Sequence, residues 1–349
     1  MFLLVAEGCR LYGSFSNLTE TSFLHGFAEQ FHHHPWDGLR FWDLVQPYFM
    51  FIVGVAMWYS VRSRQQKGQS RSTITRHILQ RSAILLTFGI SLHIGYRQQL
   101  TFELWNVLSQ LSITIPLAYF IMRLPNRVQI GISIGLLILT ELLYRYTGIE
   151  GYDQPFVKDQ NFGSFIDMLL MGKLNNGGGW VTFNAIPTAA HTIWGVLAGK
   201  LLASESSSRE KLKWLLIFGG VGLLVGYGLH FSGITPIIKR ICTSAFVLVS
   251  GGWCLLTLAL FYWWRDIRKT GKWPWFFAVV GMNPIFIYLF METLGSQWMV
   301  DFVGYFWLDL GSFVGLTPAV NALLHSLICL GLAWGLCYWL YRKQIFFKI

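Results

Sequence analysis

Residues 31–54 read FHHHPWDGLRFWDLVQPYFMFIVG. Three histidines, His32, His33 and His34, stand directly before Pro35-Trp36-Asp37-Gly38, and an apolar span over about 42–60 follows at once. That span carries Asp43, Gln46 and Pro47 in its first turns. A titratable cluster therefore lies at the mouth of an expected membrane helix, with polar groups continuing inward. Ionisable groups at membrane depth are costly and are kept mostly where they face a cavity or a partner. A histidine-rich loop can simply rest among lipid headgroups. Here, however, Pro35 restricts His34 to extended geometry and Asp37-Gly38 favours a tight turn. Rigidly held imidazoles suit catalysis, because imidazole exchanges protons near neutral pH and can serve as base, nucleophile or ligand. His33 is the leading candidate, with His34 and His32 behind it.

Composition sets the class. The chain has 349 residues, of which 54% are hydrophobic and only 13% charged, about half the charged share of a soluble domain. Several apolar runs of roughly 20 residues predict an all-α polytopic membrane protein with about ten transmembrane helices. Its partner is the lipid bilayer, and a single transmembrane domain covers 1–349. Expected spans are about 42–60, 82–96, 104–122, 128–146, 182–203, 212–231, 241–263, 274–293 and 318–341. Residues 1–11 begin inside an apolar run without a basic lead, so the first helix is expected to be N-terminally truncated.

The net charge of +10 does not point to nucleic acid, because Lys and Arg gather in the short loops between spans. The densest run, Arg62 to Arg81, marks one side as cytoplasmic, and Lys272 and Lys348 are expected there too. Two long outer segments are expected. Residues 147–180 end in NNGGGW (175–180) and contain a short interfacial or re-entrant helix near Phe165–Met171. Residues 294–317 form an aromatic loop. The five cysteines are scattered with no C-x-x-C pair and read as small hydrophobes. Adjacent histidines cannot easily converge on one ion, so no metal site is expected.

Further in, polar residues recur inside apolar spans. His191 follows Pro187 and Thr188 in AIPTAAHTIWG (185–195), and Asn283 sits in GMNP (281–284). Each serves equally as an interhelical hydrogen bonder. Lys239 lies near an outer helix end, where a fixed cation suits an anionic substrate group. Glu7 lies in the truncated first span.

The pattern His33-x-x-Trp36-Asp37-Gly38-Leu39 followed by Asp43-Leu44-Val45-x-Pro47 resembles the active-site segment of the heparan-α-glucosaminide N-acetyltransferase family. The 185–195 helix, Pro236–Phe246 and Gly281–Asn283 extend the likeness over most of the chain. The resemblance implies a membrane acyltransferase that takes an acetyl group from cytoplasmic acetyl-CoA to an amino sugar or glycan acceptor on the outer side. It proposes His33 as the catalytic residue, as base or acyl carrier; from the residues themselves, Asp37 is a candidate to orient the ring and Glu7 to bind an amine or act as base. Beside it, the residues themselves offer His34, Trp36, Asp43, Lys239, His191 and Asn283 as substrate contacts. The resemblance also implies a bacterial inner-membrane location with the histidines on the periplasmic side, and a homodimer. Two departures stand out. Glu7 falls where the family has an asparagine, and Trp105–Gln110 lacks the family's arginine. The competing reading is a transporter of amino sugars or glycan fragments, which polar helix interiors fit equally.

Overall fold

The computed structural model describes residues 1–175, 177–269, 271 and 274–347. Asn176, Lys272 and Lys348, named above, lie outside the described residues. In chain order the helices begin with α1 (Phe2–Gly8), α2 (Leu11–Thr19), α3 (His25–Ala28) and α4 (Val45–Gln66). Next come α5 (Arg71–Arg97), α6 (Val107–Ile121), α7 (Asn126–Tyr146), α8 (Phe162–Met171) and α9 (Ala185–Leu202). Then follow α10 (Ser208–Phe231), α11 (Ser244–Tyr262), α12 (Pro274–Gly281), α13 (Pro284–Phe290), α14 (Val300–Phe313) and α15 (Pro318–Arg342). No strand occurs among the described residues.

Among the described residues, six helices are long and apolar enough to cross a membrane, or seven if the bent pair Pro274–Gly281 and Pro284–Phe313 is one span. The expected count of about ten is not confirmed, for local reasons. The first stretch gives only the seven-residue α1, and α6 has fifteen residues. α9 is diluted by Pro187, His191 and Lys200 and is buried almost all round, so it needs no lipid-facing apolar surface. The ninth span breaks at Met282-Asn283, where Pro284 cannot continue the ladder, and the chain turns by 74°.

Two expected loops are helical. Residues 71–81 belong to α5, whose start is capped by Ser70 Oγ accepting from Thr73 N–H at 3.2 Å. Residues 291–313 continue α13 through a π-type stretch into α14, and helix ends only at Gly315, which takes φ +80°, ahead of Pro318. In the long loop a helix does form at α8. Asn161 caps it and Gly172, at φ +67°, ends it.

The chain divides into two compact units: Met1–His33, Arg40–Trp42 and Thr270–Ile349 as far as described, and His34–Leu39 with Asp43–Lys269. In the second unit α9 is the central helix, packed against α4, α6, α7 and α11. Its contact with α4 is backbone on backbone: a Cβ on Gly54 would lie 2.1 Å from the Thr192 carbonyl oxygen, and one on Gly195 2.0 Å from that of Phe51. Small residues permit such an approach where lipid gives helices no hydrophobic reason to associate. The first unit buries Val5, Cys9, Val280, Ile287, Val300 and Cys337 among the helices α1 and α12 to α15. All five cysteines are buried and unbridged.

Candidate functional site

The turn foreseen at Pro35–Gly38 is built into the second unit. Gly38 takes φ +146°, and a Cβ there would lie 2.5 Å from His34 Nε2, so glycine is required for both backbone and space. Asp37 Oδ1 accepts from Ile237 N–H (3.1 Å), and Gly38 N–H donates to the Ile237 carbonyl (2.8 Å). These reciprocal bonds fix the turn against residues 236–238. Trp36 donates from Nε1 to the Phe156 carbonyl (2.8 Å), and its ring packs with Tyr144, Phe162, Val181 and Ile238.

Asp43 lies in the turn that starts α4 and is 1% exposed. Its Oδ2 accepts from His34 N–H at 3.2 Å, and its Oδ1 stands 3.6 Å from Lys239 Nζ, itself buried. Lys239 Nζ lies 5.3 Å from the centre of the Trp180 ring. The segment presenting Lys239 is folded by Thr243, whose Oγ1 donates to the Pro236 carbonyl (2.7 Å) and accepts from Ile238 N–H (3.1 Å). Arg240 holds the 178–184 stretch, donating to the Gly178 carbonyl (2.6 Å) and accepting through its own carbonyl from Asn184 Nδ2 (2.7 Å). The result is a buried cation–carboxylate pair roofed by an indole, with the His34 backbone tied to it. His230, not singled out from sequence, places Nδ1 3.6 Å from Asp37 Oδ1.

Polar groups continue inward along the unit. Gln46 Nε2 donates to Gln110 Oε1. His191 is fully buried, with Nε2 donating to the Val247 carbonyl (3.2 Å) and 2.9 Å from Ser250 Oγ. It therefore joins α9 to α11.

In the first unit, His33 is exposed, and its carbonyl accepts from Arg40 Nη1 (3.3 Å), which Glu29 holds through Nη2 (3.1 Å). The His33 ring is 6.5 Å from that of Trp42. Glu7 is exposed on α1. Asn283 is buried, and its amide is taken by the chain end, Nδ2 donating to the Ile345 carbonyl (2.9 Å) and Oδ1 accepting from Phe347 N–H (2.9 Å). The division between units passes between His33 and His34, so His33, Glu7 and Asn283 fall in one and the remaining candidates in the other. Among the described residues no group of three or more His, Cys, Asp or Glu is arranged to hold a metal ion.

A second charged cluster escaped the sequence reading. Glu103, 2% exposed, meets His93 Nδ1 (3.0 Å), Arg97 Nε (3.2 Å) and Lys173 Nζ (3.0 Å). Burial pushes its carboxyl up, but Lys173, His93 and Arg97 outweigh that and leave it below the usual carboxylate range. Nearby, Asp167 accepts from Trp105 Nε1 (2.7 Å) and Thr182 N–H (2.9 Å). Without a cation beside it, burial pushes Asp167 up to about 6. These residues come from separate stretches of chain, and the one local signal was an acid in an otherwise apolar approach to α6.

The fold is thus that of a helical, multi-pass membrane protein with a buried ion pair at the mouth of a span. No family model matches the chain. It is similar to heparan-alpha-glucosaminide N-acetyltransferase from Mus musculus, 22% identical over 385 residues, and from Homo sapiens, 24% identical over 393 residues. Each match covers 91% of this chain and 56% of the relative, so the chain spans about half the length of the curated relatives it matches.

Proposed function

We propose that the protein is a membrane N-acetyltransferase that uses acetyl-CoA as donor and the amine of a glucosamine-type sugar as acceptor. The observation that carries this reading is in the second unit: the Asp37-Gly38 turn is tied by two hydrogen bonds to Ile237, and Asp43 is buried against Lys239. This is the same stretch whose residues carry the family pattern, and the similarity to two N-acetyltransferases supports it.

On this reading the acceptor nitrogen attacks the thioester carbonyl, the new C–N bond replaces the C–S bond, and the thiolate leaves and takes up a proton. His33 removes the proton from the amine, or carries the acetyl group to it. Asp37 and Glu7 assist with charge, and His34, Trp36, Asp43, Lys239, His191 and Asn283 shape the acceptor and donor path. The histidine segment faces the periplasm of a bacterial inner membrane and the donor arrives from the cytoplasm. A homodimer completes the proposal.

The test is release of free CoA by the purified protein given acetyl-CoA and glucosamine. Sugar-dependent release that falls at least a hundredfold in His33→Ala is expected, since a positioned acid–base group contributes about 10²–10⁴-fold. Release that survives His33→Ala but not His34→Ala moves the role by one residue. No release with any amino sugar, together with sugar uptake into proteoliposomes, makes the protein a transporter instead.

A further inference from the structure

From Leu44 to Phe102 the chain has no carboxylate, yet it carries Arg62, Arg64, Lys67, Arg71, Arg76, Arg81 and Arg97. Most of these stand where α4 ends and α5 begins. Three nitrogen-bearing side chains converge there. Arg64, half-buried near the end of α4, donates from Nη2 to His77 Nε2 (2.8 Å) and from Nη1 to Gln69 Oε1 (3.2 Å). Arg81 follows His77 by one turn on the same face of α5, and its Nε is buried without a hydrogen-bond partner. Among the described residues no carboxylate lies within ion-pair distance of Arg64 or Arg81.

Depth distinguishes Arg81 from the other cations. It sits ten residues into α5, about 15 Å along the axis from Arg71. Beyond it the same face becomes apolar, with Ile84 38% exposed and Phe88 half-buried one and two turns further on. A guanidinium at that depth is costly unless it reaches an anion or the interface. The face therefore reads from cation to hydrocarbon over about three turns, matching a phosphodiester headgroup followed by an acyl chain.

We infer that Arg64 and Arg81, with His77 between them, bind an anionic phospholipid whose phosphate sits against the two guanidinium groups and whose chain lies along Ile84 and Phe88. A free phosphate would use the cations but not the apolar strip. Polybasic segments beside a membrane are drawn to anionic headgroups.

The test is the melting temperature of the full chain in detergent, titrated with phosphatidylglycerol, phosphatidylcholine, inorganic phosphate or free coenzyme A. Phosphatidylglycerol is expected to raise it by several degrees and phosphatidylcholine not to. Arg81→Gln and Arg64→Gln should each abolish most of the shift, Arg81→Lys should keep part, and Lys67→Gln, which removes the same charge outside the cluster, should keep it all. If Arg81→Gln does not fold, Arg64→Gln and Arg81→Lys decide. An equal shift with phosphatidylcholine, an equal loss in Lys67→Gln, or a shift reproduced by inorganic phosphate or coenzyme A would each overturn the inference.

Discussion

The two charged regions of the second unit differ in how burial is balanced. In the Trp36–Pro47 turn, one carboxylate, Asp43, meets one ammonium, Lys239, and both are buried. In the region joining α5, α6 and α8, Glu103 collects three partners, of which Arg97 and Lys173 are 55% and 35% exposed, while Asp167 collects only neutral donors. A buried cation–carboxylate pair is costly to break from one side, because the charge left behind is desolvated. A ringed carboxylate shares its charge with groups that water can also solvate, and a carboxylate with neutral donors stays close to protonation. Three carboxylates are thus held in three electrostatic settings within one unit.

The largest effect expected is at Asp43. Asp43→Ala removes the carboxylate facing the buried Lys239 ammonium and should cost about 3–5 kcal/mol, whereas Asp43→Ala with Lys239→Met should recover much of it, because removing both charges of a buried pair is far milder than removing one. Melting temperatures of the two variants check this, and equal losses would show that the two charges are not coupled.

Asp167 comes next. Its folded-state value near 6 lies above the ordinary 3.8, so the folded state holds the proton more tightly. Stability contributed by this group is present at low pH and is lost as pH rises through about 6, by roughly 2–3 kcal/mol in all. Asp167→Asn should flatten the stability profile between pH 4 and 6.

Glu103 has the opposite sign and the smallest effect. Its depressed folded-state value means that its contribution is present above the unfolded-state value and lost as pH falls through the folded one. Solvent screening at Arg97 and Lys173 limits the expected cost of Glu103→Gln to about 1 kcal/mol at pH 7, vanishing in acid. A deficit that persists below pH 3 would show that shape, not charge, holds this corner.

The sequence announced the first region and hid the second for a physical reason. His34, Trp36, Asp37 and Asp43 lie within ten residues, and Pro35 and Gly38 dictate the turn locally. Residues 93, 97, 103, 167 and 173 are brought together only by helix packing, which no periodicity reports. The helices at 126–146, 208–231 and 318–342 were readable because apolar length decides them. α14 was not, since aromatic residues and two glycines resembled a loop. Those glycines instead admit side chains from α15, Gly304 facing His325 and Gly311 facing Asn321. His230 was invisible because its relation to Asp37 depends on how α10 meets the turn.

The touching backbones at Gly54 and Gly195 have a mechanical consequence. At that level α4 and α9 pack backbone to backbone, with no side chain between them. No acyl chain, sugar or water file fits through that seam. A path past that level of the unit would therefore run along another wall.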